Sequence, residues 1–383
     1  MTIYFVAGEV SADNHGAALM RSLRELDSGL ELIGRGGPQM QEISGKQFKN
    51  WIGDAAVLGL WEVLRKYGYF REQFQETLTE ILEIKPDAVV LIDYPGFNLR
   101  LARALRRKSQ RQKIIYYISP QVWAWNRGRI KRMARFIDLV LCIFPFEADL
   151  YNESGLRAVF VGHPMIEQLQ ARKIDVERDP NLIALFPGSR LREVRKIFPV
   201  MIETARLLLQ AKHTLYFQVA AASEELACEM SPATAALNQL QDRQAIQIKI
   251  GETAALMQRA LIGIVASGSA TLEAAYFRMP FVLIYKVAWP TYLAARLVVN
   301  VKYLGMPNLL AGKEVVPEFI QHRAEPGVIA KDVQLLMEDA RACQQMISEF
   351  DAIMGKVGRG GASEKAAQAI MEELKEGRPP GSS

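Results

Sequence analysis

Residues 86–100 read PDAVVLIDYPGFNLR. The apolar run at 88–92 is suited to a fully buried strand, after which the chain places Asp93 at the strand end and turns on Tyr94-Pro95-Gly96. A short apolar strand that runs through a tight turn into a helical pattern is the unit of a parallel α/β sheet. The carboxylate at the strand's exit is the feature that needs a reason.

The same unit recurs on both sides of this stretch. IYFVA near the start, then KIIYYI and LVLCIF, read as further buried strands, with a helix expected from about His15 to Leu26. The pattern pauses at the polar VGHPMIEQLQARKIDVERDPN and restarts with LIALF, a helix over residues 193–209, LYFQVA, LIGIVA and FVLIY. Two Rossmann-like α/β domains are therefore expected, residues 1–165 and 166–345, joined near residues 163–180. GASEKAAQAIMEELKEG predicts a closing helix at about 361–377, with a loose tail behind it. Ligands of open parallel sheets bind beyond the carboxyl ends of the strands, so two such domains are expected to face a cleft.

Composition narrows the class. Of 383 residues half are hydrophobic and 23% charged, and Cys142, Cys228 and Cys343 stand far apart, so neither disorder nor a disulfide or zinc framework is expected. The opening MTIYFVAGEVS lacks a basic start and a cleavage site, so no export is expected, and a reducing cytosol fits. Charges interrupt the apolar region 261–299, so no span of a bilayer is expected there. The net charge is +5, with basic residues gathered in RLARALRRKSQRQK and NRGRIKRMAR. Such runs are either solvated helix faces or attractors of phosphate, and they lack a nucleic-acid recognition module. AAVLGLWEVLRKYGYF, residues 55–70, is apolar around most of a helix and reads as a membrane-surface patch or a core helix.

Two strand-to-helix turns in the second half favour an anion. In ALFPGSRLREV, Gly188 lets the backbone approach a ligand, Ser189 and Arg190 precede a helix start, and arginine pairs with phosphate bidentately. In VASGSATLEAAYFRMP, Ser267, Gly268 and Ser269 leave amides open, and Ser269 and Glu273 share one helical face fit for ribose hydroxyls. Each fragment alone also suits an unliganded tight turn or a capped helix. The first turn, AGEVSADNHGA, has no glycine fingerprint for a dinucleotide; it crowds Glu9, Ser11 and Asp13 at the sheet edge, which suits a hydroxyl-rich or charged substrate. Neither a P-loop nor an Asp-x-Asp metal motif occurs. His163 in VGHP reads as a structural histidine, and Trp123 and Trp125 as sugar-stacking, bilayer-edge or packing residues.

Together AGEVSADNHGA, GRGGPQM, LIDYPGFN, ISPQVWAWNRGR, LCIFPFE, VGHP, FPGSRLREV, ASGSATLE and MPNLLAGKEVVPEFIQ, in order from residue 7 to residue 321, resemble the lipid-A-disaccharide synthase family of bacterial glycosyltransferases. One departure is Ala12, where the family usually has glycine. The resemblance implies a glycosyltransferase type-B fold with the last helix crossing back to the first domain, an acceptor-binding first domain and a UDP-sugar-binding second. It implies transfer from UDP-2,3-diacylglucosamine to 2,3-diacylglucosamine 1-phosphate, with a β-1,6 linkage, inversion, and neither metal nor cofactor. Asp93 would be the general base. Gly188, Ser189, Arg190, Ser267, Gly268, Ser269, Thr271 and Glu273 would hold the donor, with Asn308 completing its pocket. Glu9, Ser11 and Asp13 would meet the acceptor. The family works at the inner face of the inner membrane and dimerises by exchanging C-terminal segments, so Asn308 would serve a partner subunit's site. Rival readings are a UDP-N-acetylglucosamine 2-epimerase-like isomerase and a UDP-sugar or lipid binding protein without turnover, in which Asp93 is an N-cap or turn residue with Asn98 starting the next helix.

Overall fold

The computed structural model describes residues 1–45, 47–52, 67–120, 128–241, 243–289, 292 and 302–376. The chain forms two compact units, Met1–Pro164 with Val357–Ser383, and Met165–Lys356. Most of the apolar 55–70 stretch, Trp123, Trp125 and the tail after the last helix lie outside the described residues.

The first unit runs β1 (Thr2–Ala7), α1 (Val10–Leu26), β2 (Glu31–Gly36), α2 (Pro38–Ser44), β3 (Phe48–Asn50), α3 (Tyr67–Ile84), β4 (Ala88–Ile92), α4 (Pro95–Lys108), β5 (Lys113–Tyr117), α5 (Gly128–Met133), β6 (Leu139–Cys142), α6 (Pro145–Glu153) and β7 (Ala158–Phe160). Its sheet is parallel, in the order β3-β2-β1-β4-β5-β6-β7. Strand periodicity of two divides the core. Ile3, Phe5, Val90 and Ile92 pack with Leu19, Met20 and Leu23 of α1, while Tyr4, Val6, Val89 and Leu91 pack with Ile81 of α3 and Leu101 of α4.

The second unit contains α7 (Met165–Ala171), β8 (Asp179–Phe186), α8 (Leu191–Ala211), β9 (Tyr216–Ala221), α9 (Glu224–Gln241), β10 (Ile246–Ile250), α10 (Thr253–Arg259), β11 (Ala260–Ala266), α11 (Ala270–Tyr276), β12 (Phe281–Tyr285), α12 (Met306–Ala311), β13 (Glu318–Ile320), α13 (Pro326–Glu338) and α14 (Ala340–Val357). Its parallel sheet is ordered β10-β9-β8-β11-β12-β13 over one apolar core. The last helix, α15 (Ala362–Glu376), returns to the first unit: Ala366, Ala367, Ile370 and Leu374 join the core beside α1, and Glu373 pairs with Lys113 and Arg157. The expected crossing-back of that helix is thus present.

Both sheets reverse winding direction once, between β1 and β4 and between β8 and β11. At such a switch point the two following loops diverge to opposite faces and leave a crevice at the carboxyl edge. The loops after these four strands are those that carry Glu9, Asp93, Gly188–Arg190 and Ser267–Ser269.

Candidate functional site

In the first unit, β4 delivers Asp93 in a left-handed conformation, φ 46°, and Tyr94 follows at φ 50°. Two successive non-glycine residues there cost on the order of 1–3 kcal/mol each, and such strain persists only where surrounding contacts impose it. The Asp93 amide donates to the Tyr117 carbonyl, while the Asp93 carbonyl accepts from the Tyr116 hydroxyl at 2.6 Å and from the Asn98 amide at 2.8 Å. Gly8 is needed beside them, since a Cβ there would lie 2.4 Å from the Tyr94 ring. α4 begins at Pro95 with Tyr94 as its N-cap residue, and Asn98 sits inside the helix, donating back to the Ile92 carbonyl. The N-cap explanation of Asp93 therefore fails.

The Asp93 carboxyl is pushed up to about 6, mainly by burial and then by the negative charge of Glu9, with a hydrogen bond from the Tyr94 amide opposing. Glu9, before α1, and Ser11, in its first turn, are exposed at the neighbouring strand end. Asp13 was expected to contact the acceptor, but its two oxygens accept from the Gly37, Gln39 and Met40 amides, each at 3.0 Å, and it is 2% exposed. It holds the N-terminus of α2 and is buried there, which turns its carboxylate to backbone amides of its own unit. His163 leans on Phe144 with the rings tilted at 58°, and burial, then His15, lowers it to about 4.

In the second unit, Gly188 at φ 107° and Gly268 at φ 149° occupy backbone that side chains disfavour. Arg190, whose side chain is 79% exposed, lies 3.2 Å from Glu193 at the head of the 21-residue α8. Ser189 and Ser269 are exposed, and Ser267 is half-buried. The Thr271 hydroxyl, fully buried, donates to the Gly268 carbonyl at 2.8 Å and so holds the loop. Glu273 is raised by burial, against the opposing Arg172 charge and a hydrogen bond from Ser269.

Asn308 departs from its expected donor contact in the same way as Asp13. Its amide nitrogen donates to the Val316 carbonyl and Glu318, and its oxygen accepts from the Val315 and Val316 amides, at 2.6 to 2.9 Å. With all four positions satisfied inside the subunit, Asn308 braces the approach to β13. Sequence reading missed Tyr94, Tyr116 and Arg35. Arg35 is 1% exposed and joins β2 to Gln73, Glu76 and Glu80 of α3. An arginine in an apolar strand was the available signal.

Two Rossmann-like parallel-sheet units, each with its polar loops at a switch point, have the architecture of type-B glycosyltransferases and their sugar-nucleotide relatives. Solved structures with this fold include a UDP-N-acetylglucosamine 2-epimerase from Listeria monocytogenes, putative in its description, with TM-score 0.64 at 12% identity over 98% of this chain and 96% of that one. The Neisseria meningitidis UDP-GlcNAc 2-epimerase bound to UDP-GlcNAc gives TM-score 0.58, 12% identity, and 98% and 100% coverage. The family model for lipid-A-disaccharide synthetase matches residues 3–371. Lipid-A-disaccharide synthase of Geobacter sulfurreducens is 36% identical over 380 residues, 97% of each chain, and that of Myxococcus xanthus is 33% identical over 388 residues, 98% of each. The chain belongs to the lipid-A-disaccharide synthase family and is a disaccharide-forming glycosyltransferase.

Proposed function

We propose that the chain transfers the sugar of UDP-2,3-diacylglucosamine to the 6-hydroxyl of 2,3-diacylglucosamine 1-phosphate, with inversion, releasing UDP. The observation that carries this reading is Asp93, half-buried on a strained strand end and poised near pH 6. A carboxylate with that affinity for a proton is a better base than an exposed aspartate and is still ionised at neutral pH. In one displacement it takes the proton of the attacking hydroxyl while the bond from the anomeric carbon to UDP breaks. The growing charge on the diphosphate is met by Arg190, by the amides around Gly188 and Ser189 at the start of α8, and by the open loop at Ser267–Ser269. Glu273, in the first turn of α11 behind that loop, takes the ribose hydroxyls. Asp13, Thr271 and Asn308 act as positioning residues, and Glu9 tunes Asp93.

The chemistry is tested by incubating the protein with donor, with and without acceptor, and reading lipids by mass spectrometry. Disaccharide phosphate is expected only when both are present. Epimerised donor without acceptor supports the isomerase, and no product in either tube supports a binding protein.

The substrates' acyl chains place the reaction at a lipid surface, which we take to be the cytoplasmic face of the inner membrane. Arg100, Arg103 and Arg107 of α4 line one groove with Arg129, Arg132 and Arg135 in and after α5. None of the described helices is long and apolar enough to cross a membrane. Peripheral attraction to anionic lipid then supplies on the order of 1 kcal/mol per basic residue, screened by salt. Co-sedimentation with phosphatidylglycerol vesicles is expected to weaken at high salt and to fall at least tenfold when Arg103, Arg107 and Arg132 become glutamate. Binding indifferent to both changes removes the groove from the membrane contact.

A further inference from the structure

A second groove, of about 450 Å³, lies on the first unit beside Asp93. Phe70 and Phe74 of α3 line it from one side, and Tyr94, Gly96 and Phe97 from the start of α4, with Arg71 and Arg100 also in its lining. Its size falls in the ~300–1,000 Å³ range of small-ligand sites, and its walls are mostly aromatic. The aromatic wall is rigid: Phe97 packs edge-on against Phe74 at 5.7 Å, stacks with Tyr94 at 6.1 Å and leans on Trp51 at 5.1 Å. The Trp51 indole N–H in turn donates to the Ala7 carbonyl at 2.7 Å, fastening the wall to the end of β1.

This position constrains the occupant. Tyr94 lines the groove and is covalently next to Asp93, so the groove lies one residue from the base. Arg100 lies seven residues beyond Asp93, roughly 10 Å along the chain path of a helix, within reach of a phosphate on a sugar whose hydroxyl meets Asp93. An acyl chain satisfies the aromatic walls and an anionic headgroup the two arginines. Resting on the transferase reading above, we infer that this groove receives an acyl chain of the acceptor and sets how long that chain can be.

Gly96 offers a clean probe, because a Cβ built there meets nothing within 4 Å. Gly96→Leu adds a side chain to the groove lining at a position with room for its Cβ, and Phe74→Ala removes an aromatic wall. Initial rates are measured with butanoyl and tetradecanoyl acceptors at fixed donor, then with donors of both lengths at fixed acceptor. The unmodified protein is expected to favour the tetradecanoyl acceptor at least tenfold in kcat/KM, since each buried methylene adds to binding. Gly96→Leu brings that ratio down about tenfold, whereas Phe74→Ala moves the optimum to chains longer than tetradecanoyl. Donor chain-length ratios stay unchanged in both variants. An unaltered acceptor ratio in a folded Gly96→Leu protein, or a change that appears in the donor series instead, overturns the assignment. Disaccharide formation from the butanoyl pair by the unmodified protein reports on the transferase reading separately, because it makes no use of the groove.

Discussion

Asp93→Asn is expected to lower kcat about a thousandfold, equivalent to about 4 kcal/mol of barrier, while UDP affinity is kept. The amide preserves shape and cannot take the proton of the attacking hydroxyl. With the base at about 6, kcat/KM of the unmodified protein should fall as pH drops through that value, because the protonated carboxyl is no longer a base. Glu9→Gln removes a like charge and should carry this limb to lower pH, though not to the ordinary 3.8, since burial is the larger cause. Stability runs the opposite way to activity. A folded-state value raised from 3.8 to about 6 means that stabilisation present below pH 3.8 is lost as pH rises through 6. Ionised Asp93 thus costs the fold on the order of 3 kcal/mol at neutral pH, and Asp93→Asn should raise the Tm there. Turnover within tenfold of normal in a folded variant would remove the base assignment.

Arg190→Ala is expected to cost about a hundred- to a thousandfold in kcat/KM for the donor, the range for loss of one charge-stabilising group at a developing anion. Its guanidinium is mostly exposed and, among the described residues, pairs with Glu193 at one edge, so it is available to a diphosphate. Arg190→Lys keeps the charge but loses the two-pronged geometry, and should recover a part of the rate. Because the side chain packs little, the Tm should barely move. Unchanged donor kinetics and UDP affinity in Arg190→Ala would place the diphosphate elsewhere.

Much of this is legible in the sequence alone. The apolar runs at 88–92, 261–266 and 281–285 became β4, β11 and β12 because short continuous hydrophobic segments fit the interior of a parallel sheet. The shorter β3, β7 and β13 escaped notice, since three residues hold no periodicity to read. The helix in the polar stretch after residue 163, α7, spans under two turns within a mostly polar segment and shows too little apolar spacing to read. Among site residues, strand-end position marked Asp93, Gly188 and Ser267 correctly as loop residues of the sheets' carboxyl edges. Two expectations of ligand contact meet hydrogen bonds within the unit instead: the one drawn from crowded polar groups at Asp13 and the one implied by the resemblance at Asn308. A buried carboxylate or amide looks the same in a sequence whether it meets a substrate or a backbone, and here both side chains are filled by amides and carbonyls of their own unit.

The sequence by itself determined the alternation of strands and helices, the presence of two such series and the family, because these depend on local apolar spacing and on short ordered motifs. Only the tertiary structure decided which strands lie side by side. Parallel pairing joins β1 to β4 across more than eighty residues of chain, which brings the Glu9 charge to bear on Asp93. The left-handed turn at Asp93 and Tyr94, and the aromatic groove leading from it, follow from that pairing: the strain is held by hydrogen bonds from β5 and α4 and by the bare backbone of Gly8.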